Sequence, residues 1–447
     1  MKTRNPRAWR KLGLMSVAMA TFGLLTACNN DKSVTPPSSA VIADTTCLWR
    51  GPISTSNPAA NTAYPDAGAN YWSGIVTIPT GARLFIKGEY PHARYISYVS
   101  YRDDGTPLES LADTTIVPDA GSTNPFVPGN LRTLDKRSYQ IEVVPGAAPD
   151  AASRPANTLY APVDAGKTIT LLYRIYVPDR DTGITGGVRL PAVELQLADG
   201  RTLTGEQACT ALNASADIIP FRSVGQDVYL AARDRPGMPV GYPAPSTPRW
   251  DRVYNTTDAF MCAYYGVCAA NPAENVGYFA NPDVAYTLAH ISRELGKVVV
   301  LRGKIPAVPP TVLGDMYAQQ GQLRYWSMCM NETFSQKVTA CLFDQQVPIN
   351  ADGSYTIVVS RTEDRPENAT LGCGAGHLEW SKEGDGLGHT DDGLLIMRNM
   401  LPAEGFANAV QNTTTHGDEE AVIGEYLPGI TYMSKEDFEA RGCSPYP

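Results

Sequence analysis

Apolar and polar residues alternate along several stretches of this chain. In "ARYISYVSY", Arg94, Ile96, Tyr98 and Ser100 fall on one side, and Tyr95, Ser97, Val99 and Tyr101 on the other. "TITLLYRIYVP" (Thr168 to Pro178) and "SYQIEVV" (Ser138 to Val144) alternate in the same way. A period of two over such lengths predicts strands of antiparallel sheets with one covered face. Gly and Pro punctuate the runs, as turns between strands require. Helical periodicity is scarce. It predicts only short helices over Asp283 to Leu295 and Ser434 to Gly442, the second opening on Ser434 as an N-cap followed by acids.

The strand pattern occurs twice. "GARLFIKG" (Gly81 to Gly88) and "GKVVVLRG" (Gly296 to Gly303) lie 215 residues apart. At that offset Cys47 falls on Cys262, Gly51 on Gly266, Tyr71 on Tyr286 and Pro91 on Pro306. With small gaps the match runs on. Arg94 and Tyr95 meet Arg324 and Tyr325; Asp113 meets Asp344; Arg174 meets Arg398. "LPAVEL" meets "LPGITY", and Cys209 falls near Cys443. Keeping one order from cysteine to cysteine points to an internal duplication. The expected fold is therefore all-β: two tandem β-sandwich or jelly-roll-like domains with few short helices. Their expected bounds are 46–210 and 262–447, with a Pro- and Gly-rich linker over 211–261.

The N-terminus differs from the rest. Five basic residues precede the apolar run "LGLMSVAMATFGLL", and "LTAC" ends at Cys28. This is the form of an export signal, here 1–27. "LTAC" resembles the lipobox of bacterial lipoproteins. That resemblance implies that Cys28 carries a diacylglycerol and begins the mature chain. Asn29, rather than Asp, follows it, which in the same family pattern points to the outer membrane. Residues 28–45 are polar and rich in Pro and Ser, and read as a tether. The expected location is the cell envelope, with the lipid as the contact to the membrane.

Composition narrows the partners. Without the signal, 32 basic residues face 46 acidic ones, a net charge of −14. Phosphate backbones need a basic face, so nucleic acid is not an expected partner. Nine cysteines less Cys28 leave eight, an even number suited to disulfides in an oxidising compartment. The repeat singles out Cys47–Cys209 and Cys262–Cys443, each closing one copy. Cys329 and Cys341 fit a hairpin cross-link, which leaves Cys268 with Cys373.

Candidate chemistry is sparse. The chain has no G-x-S-x-G elbow, no H-E-x-x-H and no phosphate loop. One Gly-rich loop, "GAGHLEWSKEGDGLGHTDDG", gathers His377, Glu379, Asp385, His389, Asp391 and Asp392, nitrogen and oxygen ligands of the kind a divalent metal takes; His377, Glu379, His389 and Asp391 are the candidate set. No other cofactor is expected. Arg94, Arg174, Arg324 and Arg398 sit inside strand patterns. A guanidinium on a sheet face needs a carboxylate, from Asp113 or Asp344 or from a ligand. Tyr64, Tyr71, Trp72 and Tyr90 offer rings either to the core or to a stacked ligand.

"YWSMCM", "VPINADGSYTIVVS" and "LLIMRNMLP" in the second copy resemble a bacterial β-sandwich domain family of undetermined function. "YISYVSY", "SYQIEVVP" and "LLYRIYVP" in the first do so more weakly. The resemblance implies the fold and the compartment and brings no catalytic residues. The expected function is a lipid-anchored envelope module that binds a small molecule, glycan or protein, or serves as a scaffold. The alternative is a secreted hydrolase with a site in the 377–392 loop or between the copies.

Overall fold

Among the described residues, ten strands build the first half of the molecule. They are β1 (Arg50–Ile53), β2 (Ala69–Thr77), β3 (Arg83–Glu89), β4 (Ala93–Tyr101), β5 (Pro107–Ala112), β6 (Ser138–Pro145), β7 (Thr158–Ala161), β8 (Thr168–Pro178), β9 (Ala192–Gln196) and β10 (Thr202–Thr204). Two helices follow, α1 (Gly205–Ala211) and α2 (Gln226–Arg233). The second half runs through β11 (Asp251–Arg252), α3 (Thr256–Tyr265), β12 (Val284–Ser292), β13 (Val298–Lys304), β14 (Tyr325–Asn331), β15 (Val338–Phe343), β16 (Ser354–Ser360), β17 (Ala375–Glu379) and β18 (Asp392–Met400). It ends with α4 (Glu419–Ile423), β19 (Gly429–Met433) and α5 (Lys435–Glu439). This computed structural model describes residues 46–274 and 276–443. The signal at 1–27, Cys28 and the tether at 28–45 lie outside the described residues. Among the described residues no helix is long and apolar enough to cross a membrane.

The strands form four sheets, and the fold is all-β with few short helices. In the first half the orders are β1-β2-β8-β4-β5 and β10-β9-β3-β6-β7. In the second they are β11-β12-β18-β14-β15 and β17-β16-β13-β19. The orders correspond strand for strand, apart from β10. In both halves one pair is parallel, β6 with β7 and β16 with β17, while the other pairs are antiparallel. Both halves belong to one compact unit.

Each half buries its own core between its two sheets. Trp72, Ile96, Tyr98, Leu84 and Ile141 belong to the first core; Trp326, Met328, Leu395, Val299 and Ile357 belong to the second. A third core lies between the halves. Tyr95, Val99, Tyr101 and Tyr176 of one inner sheet pack with Tyr325, Val284 and Met400 of the other. The sheets thus stack four deep. This corrects the expectation of one covered face: all nine residues of β4 are buried. The outward face is covered by the other half, through side chains such as Tyr and Ser that are as compatible with water as with an interface.

The stretch 283–295 is not a helix but β12, paired with β18 along its whole length. Its β-branched residues and its alternation, with Thr287, Ala289 and Ile291 buried, fit a strand. The helix expected after Ser434 is present as α5, with Ser434 Oγ accepting the Asp437 N–H at 3.0 Å. The stretch expected to be a plain linker holds α2, β11 and the start of α3, and β11 joins the second inner sheet through β12.

Both halves begin on a tryptophan. Trp49 donates its indole N–H to the Pro191 carbonyl at 2.8 Å, and Trp250 donates to the Pro428 carbonyl at 2.6 Å. The structural equivalent of Trp49 is therefore Trp250, and not Tyr264, which the 215-residue offset sets opposite it. The reason is α3, which is inserted between β11 and β12 and carries Cys262. The disulfides follow from this. Cys47 is bonded to Cys209, and Cys329 to Cys341 across β14 and β15. Cys262 is bonded to Cys268 just beyond its own helix, and Cys443 to Cys373. The expected pairs Cys262–Cys443 and Cys268–Cys373 are thus exchanged, because Cys262 belongs to the inserted helix and not to the start of the second sandwich.

Candidate ligand-binding site

The junction of the two inner sheets repeats one set of contacts in both directions. Arg94 donates through Nη1 to Asp344 Oδ1 and Oδ2 at 2.7 and 2.6 Å, with both side chains fully buried. Arg324 stands 3.4 Å from Asp113 in return. The repeat matched Arg94 with Arg324 and Asp113 with Asp344, and the structure crosses the ion pairs between halves. Each aspartate also accepts a strand N–H at 3.1 Å, Asp113 from Ile96 and Asp344 from Trp326. Burial pushes the Asp113 carboxyl up to about 6 against the pull of Arg324, and burial raises Asp344 despite Arg94. These arginines are interface residues, satisfied within the protein.

Arg174 and Arg398 occupy the centre of the inner sheets. Arg174 lies opposite Tyr71 in the β2–β8 pair, and Arg398 opposite Tyr286 in the β12–β18 pair. Each guanidinium reaches the loop that precedes β2 or β12 of the other half. Arg398 donates to the Tyr64 carbonyl at 2.7 Å, and Arg174 to the Phe279 carbonyl at 2.7 Å. Tyr64 and Phe279 share a left-handed backbone, at φ 52° and 59°. Tyr64 N–H bonds the Gln336 carbonyl and Phe279 N–H the Gly105 carbonyl, each in the β4–β5 or β14–β15 turn of the opposite half.

Between these two arginines lies a cavity of about 180 Å³. Its walls come in matched pairs: Tyr71 with Tyr286, Leu172 with Ile396, Arg174 with Arg398. Tyr286, Leu288 and His290, the half-buried side of β12, turn toward it. Helices α2 and α3 cover it with Tyr229, Phe260 and Tyr264. Asn255 caps α3, its Oδ1 accepting the Asp258 N–H at 2.8 Å, and Gly266 ends the helix in the left-handed conformation at φ 65°. Burial holds the His290 imidazole down at about 4, so it is neutral at pH 7. An apolar chamber with a few polar groups is the common form of a small-molecule site.

The 377–392 loop brings three of its six candidate ligands together, Asp385, His389 and Asp392, and not His377, Glu379 or Asp391. His377 Nε2 contacts the buried Ser360 hydroxyl at 3.1 Å, and Glu379 accepts from Thr362 N–H and Oγ1 at 2.9 Å. Asp391 pairs with Arg293 at 3.3 Å. His389 lies between two carboxylates, Asp385 on Nδ1 at 2.6 Å and Asp234 on Nε2 at 2.7 Å. Burial lowers the His389 pKa, but the bonds to Asp385 and Asp234 outweigh it and the net direction is upward. Asp234 caps α2, and Tyr229 of that helix donates to Asp385 at 2.9 Å. The histidine therefore fastens α2, part of the cavity's cover. Asp385, His389 and Asp392 come within ligand distance of one another, but Asp392 is engaged by Arg233. The Ser360–His377 contact has no carboxylate on the other ring nitrogen among the described residues, so no acyl-transfer triad forms there.

Of the aromatic residues singled out in the sequence, Trp72 and Tyr90 belong to the first core, while Tyr64 and Tyr71 line the cavity. His290, Phe260 and Tyr229 were not singled out. Tyr286 was legible only as the repeat partner of Tyr71.

No protein-family model matches the chain, and no curated protein matches it. Among solved structures the chain is similar to an uncharacterized protein from Burkholderia cenocepacia, at 14% identity over 87% of this chain and 82% of that one, with a TM-score of 0.46. It is also similar to a Vibrio parahaemolyticus protein, at 11% identity over 87% and 92% of the two chains, with a TM-score of 0.37. Neither similarity carries a function across.

Proposed function

We propose that this chain is a lipid-anchored cell-envelope module that holds a small ligand in the cavity between its two sandwiches. The observation that carries the reading is the chamber at the junction, walled by equivalent positions of both halves and covered by α2 and α3. We read the matched strand orders as the product of a duplication, with the site created where the copies meet. Four disulfides agree with an extracytoplasmic location. The acidic net charge speaks against a nucleic-acid role.

Two experiments test this. A Leu172→Trp variant fills the chamber; it is expected to abolish the binding of small aromatic probes that raise the melting temperature of the wild-type protein. Unchanged binding contradicts the reading. For the anchor, Cys28→Ala is expected to abolish incorporation of labelled palmitate and to release the protein from membranes. Retention of label overturns the lipoprotein reading.

A further inference from the structure

The two halves place a carboxylate differently at the junction: Asp66 and Gly68 in the first stand where Asn281 and Asp283 stand in the second. Asp66 and Asn281 are equivalent: their N–H groups donate to Tyr71 and Tyr286 hydroxyls at 3.0 Å, and each side-chain Oδ1 accepts an N–H two residues on. Asp66 gathers three partners from the second half. Tyr325 donates to it at 2.6 Å, Ser327 at 2.5 Å, and Arg398 stands 3.7 Å away. The charge of Arg398 is thereby met inside the protein.

Asn281 is neutral; the carboxylate on its side belongs to Asp283, which accepts the Tyr95 hydroxyl at 2.5 Å and the Ser110 hydroxyl at 2.7 Å. Among the described residues Ser97, the counterpart of Ser327, has an Oγ with no hydrogen-bond partner. Arg174 is 2% exposed, and its hydrogen bonds run from Nη2 to the Tyr101 hydroxyl and the Phe279 carbonyl, both uncharged. Its Nε and Nη1 find no acceptor among the described residues. A buried guanidinium without a carboxylate is costly, and native proteins pair such groups. Here the unpaired one forms part of the cavity wall.

Resting on the reading of this cavity as the ligand site, we propose that its ligand is a small aromatic or branched aliphatic monocarboxylate whose carboxylate is received by Arg174. One unmet positive charge suits a monoanion. The body of the ligand faces Leu172, Ile396 and Phe260. The chamber of about 180 Å³ compares with the roughly 150 Å³ of an apolar cavity that takes up benzene. The size therefore suits one ring, not a long acyl chain.

The test compares benzoate with benzyl alcohol, its neutral relative, by calorimetric titration at pH 7.5. The wild-type protein is expected to bind benzoate at least tenfold more tightly. Arg174→Met is expected to erase that preference and to keep the affinity for the alcohol. Asn281→Asp, which puts a carboxylate where Asp66 has one, is expected to do the same with a raised melting temperature, and it serves if Arg174→Met does not fold. Equal binding of the two probes by the wild-type protein, lost in Leu172→Trp, overturns the carboxylate assignment and leaves the cavity reading standing. A benzoate preference that survives in Asn281→Asp also overturns the assignment. Binding of neither probe overturns the cavity reading, and this inference with it.

Discussion

Arg94 of the first sandwich donates through one nitrogen to both carboxylate oxygens of Asp344 in the second, with neither side chain reaching solvent. Arg324 and Asp113 return the contact at 3.4 Å. The exchange fixes how the inner sheets face each other, and so the shape of the chamber between them. Removing one partner strands a buried charge. Asp344→Ala is expected to lower unfolding free energy by about 3–5 kcal/mol in denaturant titrations. The exposed pair Lys304–Glu425 gives the contrast: Glu425→Ala is expected to cost far less, because solvent screens that pair. Equal costs would count against a structural role for the crossed pair.

The disulfides close loops of very different length. Cys47–Cys209 spans 162 residues, and Cys262–Cys268 spans 6. In the chain-entropy model the first stabilises by roughly 5 kcal/mol and the second by roughly 2 kcal/mol. Replacing both cysteines of each pair by Ser and measuring urea midpoints should reproduce that order. The reverse order would show that native packing around α3, not loop closure, governs the effect.

The paired tryptophans offer a check on the equivalence of the halves. Trp49 and Trp250 are both buried, and both bond a proline carbonyl just before β9 or β19. Trp49→Phe and Trp250→Phe each leave a buried acceptor unmet. Each is expected to cost about 1–3 kcal/mol, with the two values close to each other. A cost confined to one site would argue against equivalent construction.

Stability should depend on pH through identifiable groups. Burial holds His290 at about 4, whereas the unfolded chain titrates near the ordinary value of 6.5. Between those values the unfolded state binds more protons, so this histidine's contribution is complete above about 6.5 and lost as pH falls toward 4. The whole effect amounts to about 3 kcal/mol. Asp113, pushed up to about 6, titrates in the same window with the opposite sign. The comparison of His290→Leu with the wild type isolates the histidine: the variant is expected to lose less stability between pH 6.5 and 4. His389 runs the other way. Its raised pKa gives stability that is complete below the ordinary histidine value and lost as pH rises through the folded value. His389→Asn is expected to flatten that alkaline limb. Identical profiles for variants and wild type would remove these histidines from the account.

Much of the scaffold was legible in the sequence. The alternation in β4 and β8 marked them as strands, and the 215-residue offset matched Tyr71 with Tyr286 and Gly88 with Gly303. Gly88 had a packing reason to be a glycine: a Cβ there would lie 2.6 Å from the Tyr139 hydroxyl. The register failed at the start of the second copy because an ungapped comparison cannot see α3 inserted before β12. That error carried the cysteine pairing with it. The third core was illegible for another reason. Tyr95, Ser97 and Tyr101 on the outer side of β4 serve equally at a solvated face or against a second sheet, and only the partner decides. The site was half legible. The repeat named Arg174 and Arg398, but nothing in one sequence shows that Asp66 meets one of them while Asn281 fails the other.

The central claim is that the junction of the two sandwiches is a ligand site with Arg174 as its charged end. The most direct measurement is the crystal structure of the protein with 4-iodobenzoate, read by the anomalous signal of iodine. The expected result is an iodine peak within the chamber near Leu172 and Ile396, with the carboxylate in hydrogen-bond reach of Arg174. Iodine found only outside the chamber, or a carboxylate turned away from Arg174, would contradict the account.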